Sequence, residues 1–133
     1  VIWSTDTAAY FTGKFFGGAK LAPKISPGKT WTGALGGFLA ALMTSVIISL
    51  ALGFKPIGSV LILAAILSIS AQIGDLLISG IKRNYSVKDF GQLIPGHGGA
   101  LDRLDSTVMT IPVMALILYF NDFHGLVFVF YGI

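Results

Sequence analysis

Apolar residues in this chain come in long uninterrupted blocks, without the short polar alternation of a surface helix or an exposed strand. From Thr30 to Phe54 there are 25 residues without a charge, bracketed by Lys29 and Lys55. A helix of about 20 apolar residues crosses a hydrocarbon core ~30 Å thick, so a transmembrane helix is predicted over 30–54. A second uncharged run extends from Pro56 to Gly74, is interrupted by Asp75 and resumes over Leu76–Ile81. Proline suits a first helical turn, and a second span is predicted over 56–81. The third run, Ser106 to Asn121, becomes long enough when its helix begins near Leu101 and carries Asp102 and Asp105 in its first turns. A third span is therefore predicted over 101–121. Residues 1–29 are expected to form the end of an earlier helix and a basic loop, 82–100 a second loop, and 122–133 a tail too short to span. The predicted fold class is all-α: one polytopic helical membrane domain, with three full transmembrane helices plus the end of an earlier helix.

Composition agrees with this pattern. Charged residues make up 11% of the 133 positions, against roughly 25% in ordinary soluble domains, and the mean hydropathy is +0.82. A water-soluble globule and a disordered chain are both disfavoured. The formal net charge of +3 rests on nine basic residues; in so apolar a chain these fit membrane loops better than nucleic acid. There is no Cys, which removes thiolate metal sites and thiol nucleophiles. The chain starts at Val1 and is expected to be a piece of a larger integral membrane protein.

The basic residues sort by side. Lys14, Lys20, Lys24 and Lys29 precede the first span, and Lys82, Arg83, Lys88 and Arg103 follow the second. Two crossings return the chain to one face, which the positive-inside rule makes cytoplasmic. A bacterial inner membrane is the expected location. Within the first span, Gly33, Gly37, Ala41, Ser45, Ser49 and Gly53 recur every four residues, a spacing that lets helix backbones approach closely. Packing within the chain and homodimerisation are the two alternatives for this row.

Some charges stand where a membrane penalises them. A carboxylate at the centre of a span costs about 2.5–3.5 kcal/mol, so Asp75 is expected to face protein, water or a metal. On a helix, Asp75, Ser79 and Lys82 share one face; an intrahelical ion-pair ladder is the plain alternative. Asp102 and Asp105 form one acidic edge three residues apart. Like charges so placed repel unless a cation lies between them, and oxygen-only donors suit Mg²⁺. Asp75 would supply a third carboxylate. An acidic helix start favoured by the macrodipole is the alternative. Ahead of this edge, Pro95-Gly96-His97-Gly98-Gly99 is a backbone-exposing loop able to approach phosphate closely, or a plain turn. Basic residues, a glycine loop and paired carboxylates together are what phosphoryl or nucleotidyl transfer requires. Gly28-Lys29-Thr30 invites a P-loop reading, but Pro23 replaces the first glycine and no strand is predicted before it. The sequon Asn84-Tyr85-Ser86 falls on the predicted cytoplasmic face and is discounted.

The run Ser79-x-Ile81-Lys82-Arg83-x₄-Lys88-Asp89-x-Gly91-x₃-Pro95-Gly96-His97-Gly98-Gly99-x₂-Asp102-Arg103-Leu104-Asp105 resembles the signature of the phosphatidate cytidylyltransferase (CDP-diacylglycerol synthase) family. Upstream, Trp3-x₂-Asp6-x₂-Ala9-Tyr10-Phe11-x-Gly13-Lys14 and Leu21-Ala22-Pro23-Lys24-x-Ser26-Pro27-x-Lys29-Thr30-Trp31-x-Gly33 resemble it too. The likeness is to the C-terminal half of such enzymes, which implies N-terminal helices of the same enzyme as partners of this region. Ala100 and Thr32 depart from the usual pattern, where a larger aliphatic residue and Glu or Gln are common.

The resemblance implies condensation of CTP with phosphatidate to CDP-diacylglycerol and pyrophosphate. It implies that Asp75, Asp102 and Asp105 hold Mg²⁺, with a second cation, such as monovalent K⁺, left open. Lys82 joins these carboxylates in the catalytic set. Arg83, Lys88, Asp89 and Arg103 would contact the triphosphate or the lipid headgroup. His97, Gly98 and Gly99 would line the phosphate path, and Ser26, Lys29 and Thr30 would close the site from the first basic segment. A CTP-dependent polyprenol or lipid kinase and an ion transporter using Asp75 are the rival readings.

Overall fold

The computed structural model describes residues 1–53, 57–84 and 105–123. Its elements run in the order α1 (Ile2–Phe16), β1 (Lys20–Ala22), β2 (Ser26–Thr30), α2 (Trp31–Leu52), α3 (Ile57–Asn84) and α4 (Asp105–Phe123). Two of these, α2 and α3, are long and apolar enough to cross a membrane. At 1.5 Å per residue their 22 and 28 residues reach about 33 and 42 Å. The surplus in α3 carries Lys82 and Arg83, which lie in its last turn. Helix α4 has 19 residues and encloses Pro112. Its apolar stretch, Ser106–Phe120, is shorter than the two long helices. Among the described residues, two helices rather than three meet the length and composition of a full span.

Local chemistry sets the ends of α2. Thr30 has extended backbone (φ −122°, ψ 156°) and its hydroxyl accepts a hydrogen bond from the Gly33 N–H at 3.1 Å, capping the helix start. At the other end Gly53 takes φ +72°, a left-handed value that glycine adopts freely, and its N–H returns to the carbonyls of Ser49 and Leu50.

The basic segment before α2, expected as a loop, folds instead as a small antiparallel hairpin. Its register pairs Lys20 with Thr30 and Ala22 with Ser26, with an irregularity between them. The Ile25 N–H donates to the Ala22 carbonyl across the turn, and the Trp31 N–H donates to the Ala19 carbonyl at its open end. Pro27 has no N–H to give, and a two-stranded sheet, whose strands are both edges, accommodates it. The fold is therefore mostly helical, as the all-α expectation has it, with one short β-ribbon in place of the expected basic loop.

Helices α1 and α2 run antiparallel in close contact. A Cβ built on Gly33 would stand 2.7 Å from the Ala9 carbonyl oxygen, and one on Gly37 would stand 2.6 Å from that of Thr5. The four-residue row of small side chains is thus occupied by α1 at these positions, as its intrachain reading expects. Helix α3 packs against α2 and α4. Hydroxyls stitch the bundle: Thr5 Oγ1 donates to Ser68 Oγ at 3.2 Å between α1 and α3. The Gln72 amide donates to the Ala34 carbonyl at 3.2 Å between α3 and α2.

The interior of this bundle is small and hydroxylic. Ala41, Ala64, Ala71, Thr5, Ser45, Ser49 and Ser68 are buried, while Leu35, Leu39, Met43, Ile47, Ile62 and Ile69 are exposed. In water such an arrangement would leave a large apolar surface unprotected. In a bilayer it is the expected one, because helices associate there through small residues and interhelical hydrogen bonds.

Candidate functional site

One face of α1 carries Asp6, Tyr10, Gly13 and Lys14, followed by Gly17 just past its end. These fall at helical spacing and form one wall of a cavity of about 620 Å³. The hairpin supplies Lys20, Leu21, Ser26, Gly28, Lys29 and Thr30; the first turn of α2 adds Gly33 and Ala34; and α3 closes the cavity with Gln72 and Asp75. That volume falls in the range of sites that enclose small ligands, about 300–1,000 Å³.

The sharpest electrostatic feature is the contact of Lys29 Nζ with Asp75 Oδ2 at 2.5 Å. The two side chains are 25% and 34% exposed, so the pair is reachable from the cavity. Asp6 lies within electrostatic reach of both, and its Oδ2 accepts a hydrogen bond from Ser106 Oγ at 2.9 Å. Lys14 stands 5.8 Å from the centre of the Tyr10 ring, a cation–π distance. Three lysines and two aspartates line the cavity, a balance that favours an anionic occupant while retaining carboxylate oxygens for a hard cation.

The hairpin is anchored over the end of α3. Arg83 Nε donates to the Ile25 carbonyl at 3.3 Å, and Ile25 packs where a Cβ on Gly80 would meet it at 3.7 Å. At the hairpin's base Thr30 Oγ1 and Thr32 Oγ1 share a hydrogen bond of 3.0 Å, and the Thr32 hydroxyl also donates to the Gly17 carbonyl. Lys29 thus projects from a ribbon fixed at both ends.

Of the residues expected from sequence, Ser26, Lys29, Thr30 and Asp75 meet at this cavity. Lys82 is buried in the last turn of α3, and Arg83 holds the hairpin turn. Lys88, Asp89, His97, Gly98, Gly99, Asp102 and Arg103 lie outside the described residues, and Asp105 is the first residue of α4. Asp75 has its close ion pair across the fold with Lys29, in addition to the face it shares with Ser79 and Lys82. Asp6, Tyr10, Lys14 and Gln72 line the cavity without having been assigned a role from sequence. The signal for the first three was present: a carboxylate in an apolar helix, with an aromatic and a lysine at i+4 and i+8.

Residues 1–121 match the model of the cytidylyltransferase family. Phosphatidate cytidylyltransferase of Brucella suis biovar 1 (strain 1330) is 48% identical over 116 residues, which cover 87% of this chain and 43% of that protein. The protein of the same name from Rickettsia prowazekii (strain Madrid E) is 48% identical over 120 residues, covering 85% of this chain and 53% of the relative. That of Rickettsia felis (strain ATCC VR-1525 / URRWXCal2) is 46% identical over 124 residues, covering 88% and 55%. The chain spans about half the length of the curated relatives it matches.

Proposed function

The chain belongs to the cytidylyltransferase family, and on that premise we propose that it forms the C-terminal catalytic region of an enzyme joining CTP to phosphatidate. The observation that carries this reading is the cavity in which Lys29, Ser26 and Thr30 of the hairpin stand opposite Asp75. An oxygen of the phosphatidate phosphate attacks the α-phosphorus of CTP, the bond from that phosphorus to the bridging oxygen breaks, and pyrophosphate leaves with the bond electrons. The attacking phosphate is already an anion, so no side-chain nucleophile is required.

The chain's own residues bind and orient. Lys29, on its anchored ribbon, supplies a fixed positive charge for phosphate oxygens, assisted by Lys14 and Lys20 on the cavity wall. The hydroxyls of Ser26 and Thr30 border the same space. Lys82, Arg83, Lys88, Asp89 and Arg103, with His97, Gly98 and Gly99, are assigned to the triphosphate and headgroup. The donor chemistry at the cavity, carboxylates with no sulfur ligand, fits Mg²⁺. Asp75, Asp102 and Asp105 would hold it, and when bound it supplies neutralising charge for the phosphates. A second, monovalent cation at these carboxylates belongs to the same reading.

In this reading α4, extended over 101–121, is a third span, and the remaining boundaries follow the charge pattern. The hairpin and the segment after α3 face the cytoplasm of a bacterial inner membrane, where CTP is available, while the acyl chains stay in the bilayer. Helices N-terminal to those described complete the enzyme in this reading, and a second copy would dock elsewhere than on the small-residue row of α2, which is buried within the bundle at Ala41, Ser45 and Ser49.

The test supplies the full-length protein with phosphatidate and α-labelled CTP, with and without Mg²⁺. The expected result is label entering lipid only when Mg²⁺ is present. Label released as CDP identifies a lipid kinase instead, and absence of turnover returns Asp75 to a transport role.

A further inference from the structure

Gln72 lines the cavity from α3 but has no part in the chemistry described above. Its amide is held in one orientation. Nε2 donates to the Ala34 carbonyl of α2 at 3.2 Å and lies 3.5 Å from Ser68 Oγ, one turn earlier in α3. Ser68 is fully buried and accepts in turn from Thr5 Oγ1 of α1 at 3.2 Å. A carbonyl oxygen only accepts, so the nitrogen of the amide must be the atom that meets Ala34. Turning the amide over would set two acceptors against each other between α2 and α3. Oε1 is therefore the polar atom that Gln72 keeps for the cavity, and it takes no hydrogen bond from a described residue. Beside its lysines, the cavity wall thus carries an acceptor whose polarity the fold does not let reverse.

Few groups on the two substrates match such an acceptor. Fully ionised phosphatidate and triphosphate carry no hydrogen-bond donor, whereas the nucleoside does. Its ribose hydroxyls both donate and accept, so either orientation of an amide would serve them. The exocyclic N4 amine of cytosine only donates. Tyr10 of α1 adds to the same cavity an aromatic side chain, the kind of surface on which bases stack. We propose that Gln72 selects cytosine, its locked Oε1 accepting a hydrogen bond from the N4 amine. The inference rests on the reading that CTP occupies this cavity. Asp75, three residues further along α3, is paired with Lys29, so the amide and the phosphate-binding lysine border one space. Uracil presents O4, an acceptor, where cytosine presents its amine. Facing Oε1 with no proton between them, it leaves both oxygens unpaired away from water, which is how a hydrogen-bonding pocket rejects a close analogue.

The experiment uses the full-length protein with phosphatidate in mixed micelles and CTP or UTP labelled at the α-phosphate, with kcat/KM taken for both nucleotides on one preparation. The ratio of the two values does not depend on how much of the preparation is folded, so a poorly folding variant still gives a result. Where turnover is too low, the ratio is read from the concentrations of unlabelled CTP and UTP that displace bound, labelled CTP. Gln72→Met keeps the length of the side chain and removes the acceptor. Its CTP-over-UTP ratio is expected to fall about 5- to 150-fold below that of the parent, the range for losing one base-specific contact. The fall should come from CTP, with UTP unchanged or improved. Gln72→Ala should narrow the ratio in the same direction. A parent-like ratio in both variants overturns the role of Gln72 and leaves cytidylyl transfer standing. An equal loss with CTP and UTP overturns it as well, since the amide then serves the ribose or the packing of α3. If no label enters lipid from CTP in the parent, the reading beneath the inference falls too.

Discussion

Gly37→Ala adds one methyl where α1 and α2 come closest. The new Cβ would stand 2.6 Å from the Thr5 carbonyl oxygen, 3.0 Å from Ala9 Cβ and 3.2 Å from Thr5 Cγ2. Close carbon–oxygen contacts between helices settle at about 3.3 Å or more, so the helices must part by more than half an ångström. Neither obstacle nearest the methyl is the tip of a flexible chain, and backbone cannot swing aside. Overpacking of this kind costs about 1–3 kcal/mol, enough to lower a folding equilibrium about 5- to 150-fold at 1.4 kcal/mol per decade. The displacement also strains the Thr5–Ser68 bond and moves the wall of the cavity that carries Asp6. Reversible unfolding of the full-length protein in mixed micelles measures the loss, with Gly58→Ala as control. A Cβ on Gly58 meets nothing within 4 Å, so that variant should match the parent or exceed it slightly. Equal stability of Gly37→Ala and Gly58→Ala would refute the close approach of α1 and α2.

Three further outcomes are expected. Thr30→Ala removes the cap of α2 and its bond to Thr32, and should cost about 0.5–2 kcal/mol in the same unfolding assay, with Thr30→Ser recovering most of it. Asp75→Asn and Lys29→Met should each lower cytidylyl transfer on the order of 10²-fold or more in the labelled-CTP assay, as for loss of one preorganised electrostatic contact. Lys55→Ala, on the loop predicted to face away from the substrates, should leave turnover within error of the parent.

The sequence reading succeeds where a physical constraint acts locally. The charge-free runs on either side of Lys55 correspond to α2 and α3 because solvation by lipid imposes length and apolarity residue by residue. The hairpin is less legible: Lys20–Thr30 holds two prolines and a glycine, and shows no alternation from which a strand is predicted. Its open end is closed by the Trp31 N–H on the Ala19 carbonyl, and its turn is held by Arg83 at the tip of α3. The end of α3 lies three residues beyond the predicted boundary, since a lysine near a helix end can extend its charge toward the interface and need not stop the helix. The site divides in the same way. Asp75 is conspicuous because a carboxylate in an apolar run is costly, but its partner Lys29 sits in a distant segment and no spacing rule connects them. Asp6 is equally visible as an isolated charge, but the folded bundle alone brings it the Ser106 hydroxyl and the approach to Lys29 and Asp75.

The outward-facing leucines and isoleucines of α2 and α3, set around an interior of alanine, serine and glycine, reverse the usual geography of mutational tolerance. In a water-soluble domain the large apolar side chains are the fitted pieces and the surface is where exchange is free. Here Met43 or Ile62, both more than 60% exposed, can trade places with any side chain that lipid solvates, while the smallest interior positions admit no enlargement. A stabilised variant for biochemistry would therefore be sought on the bilayer-facing side, and a saturation screen should find its intolerant positions among the residues with the least side chain to lose.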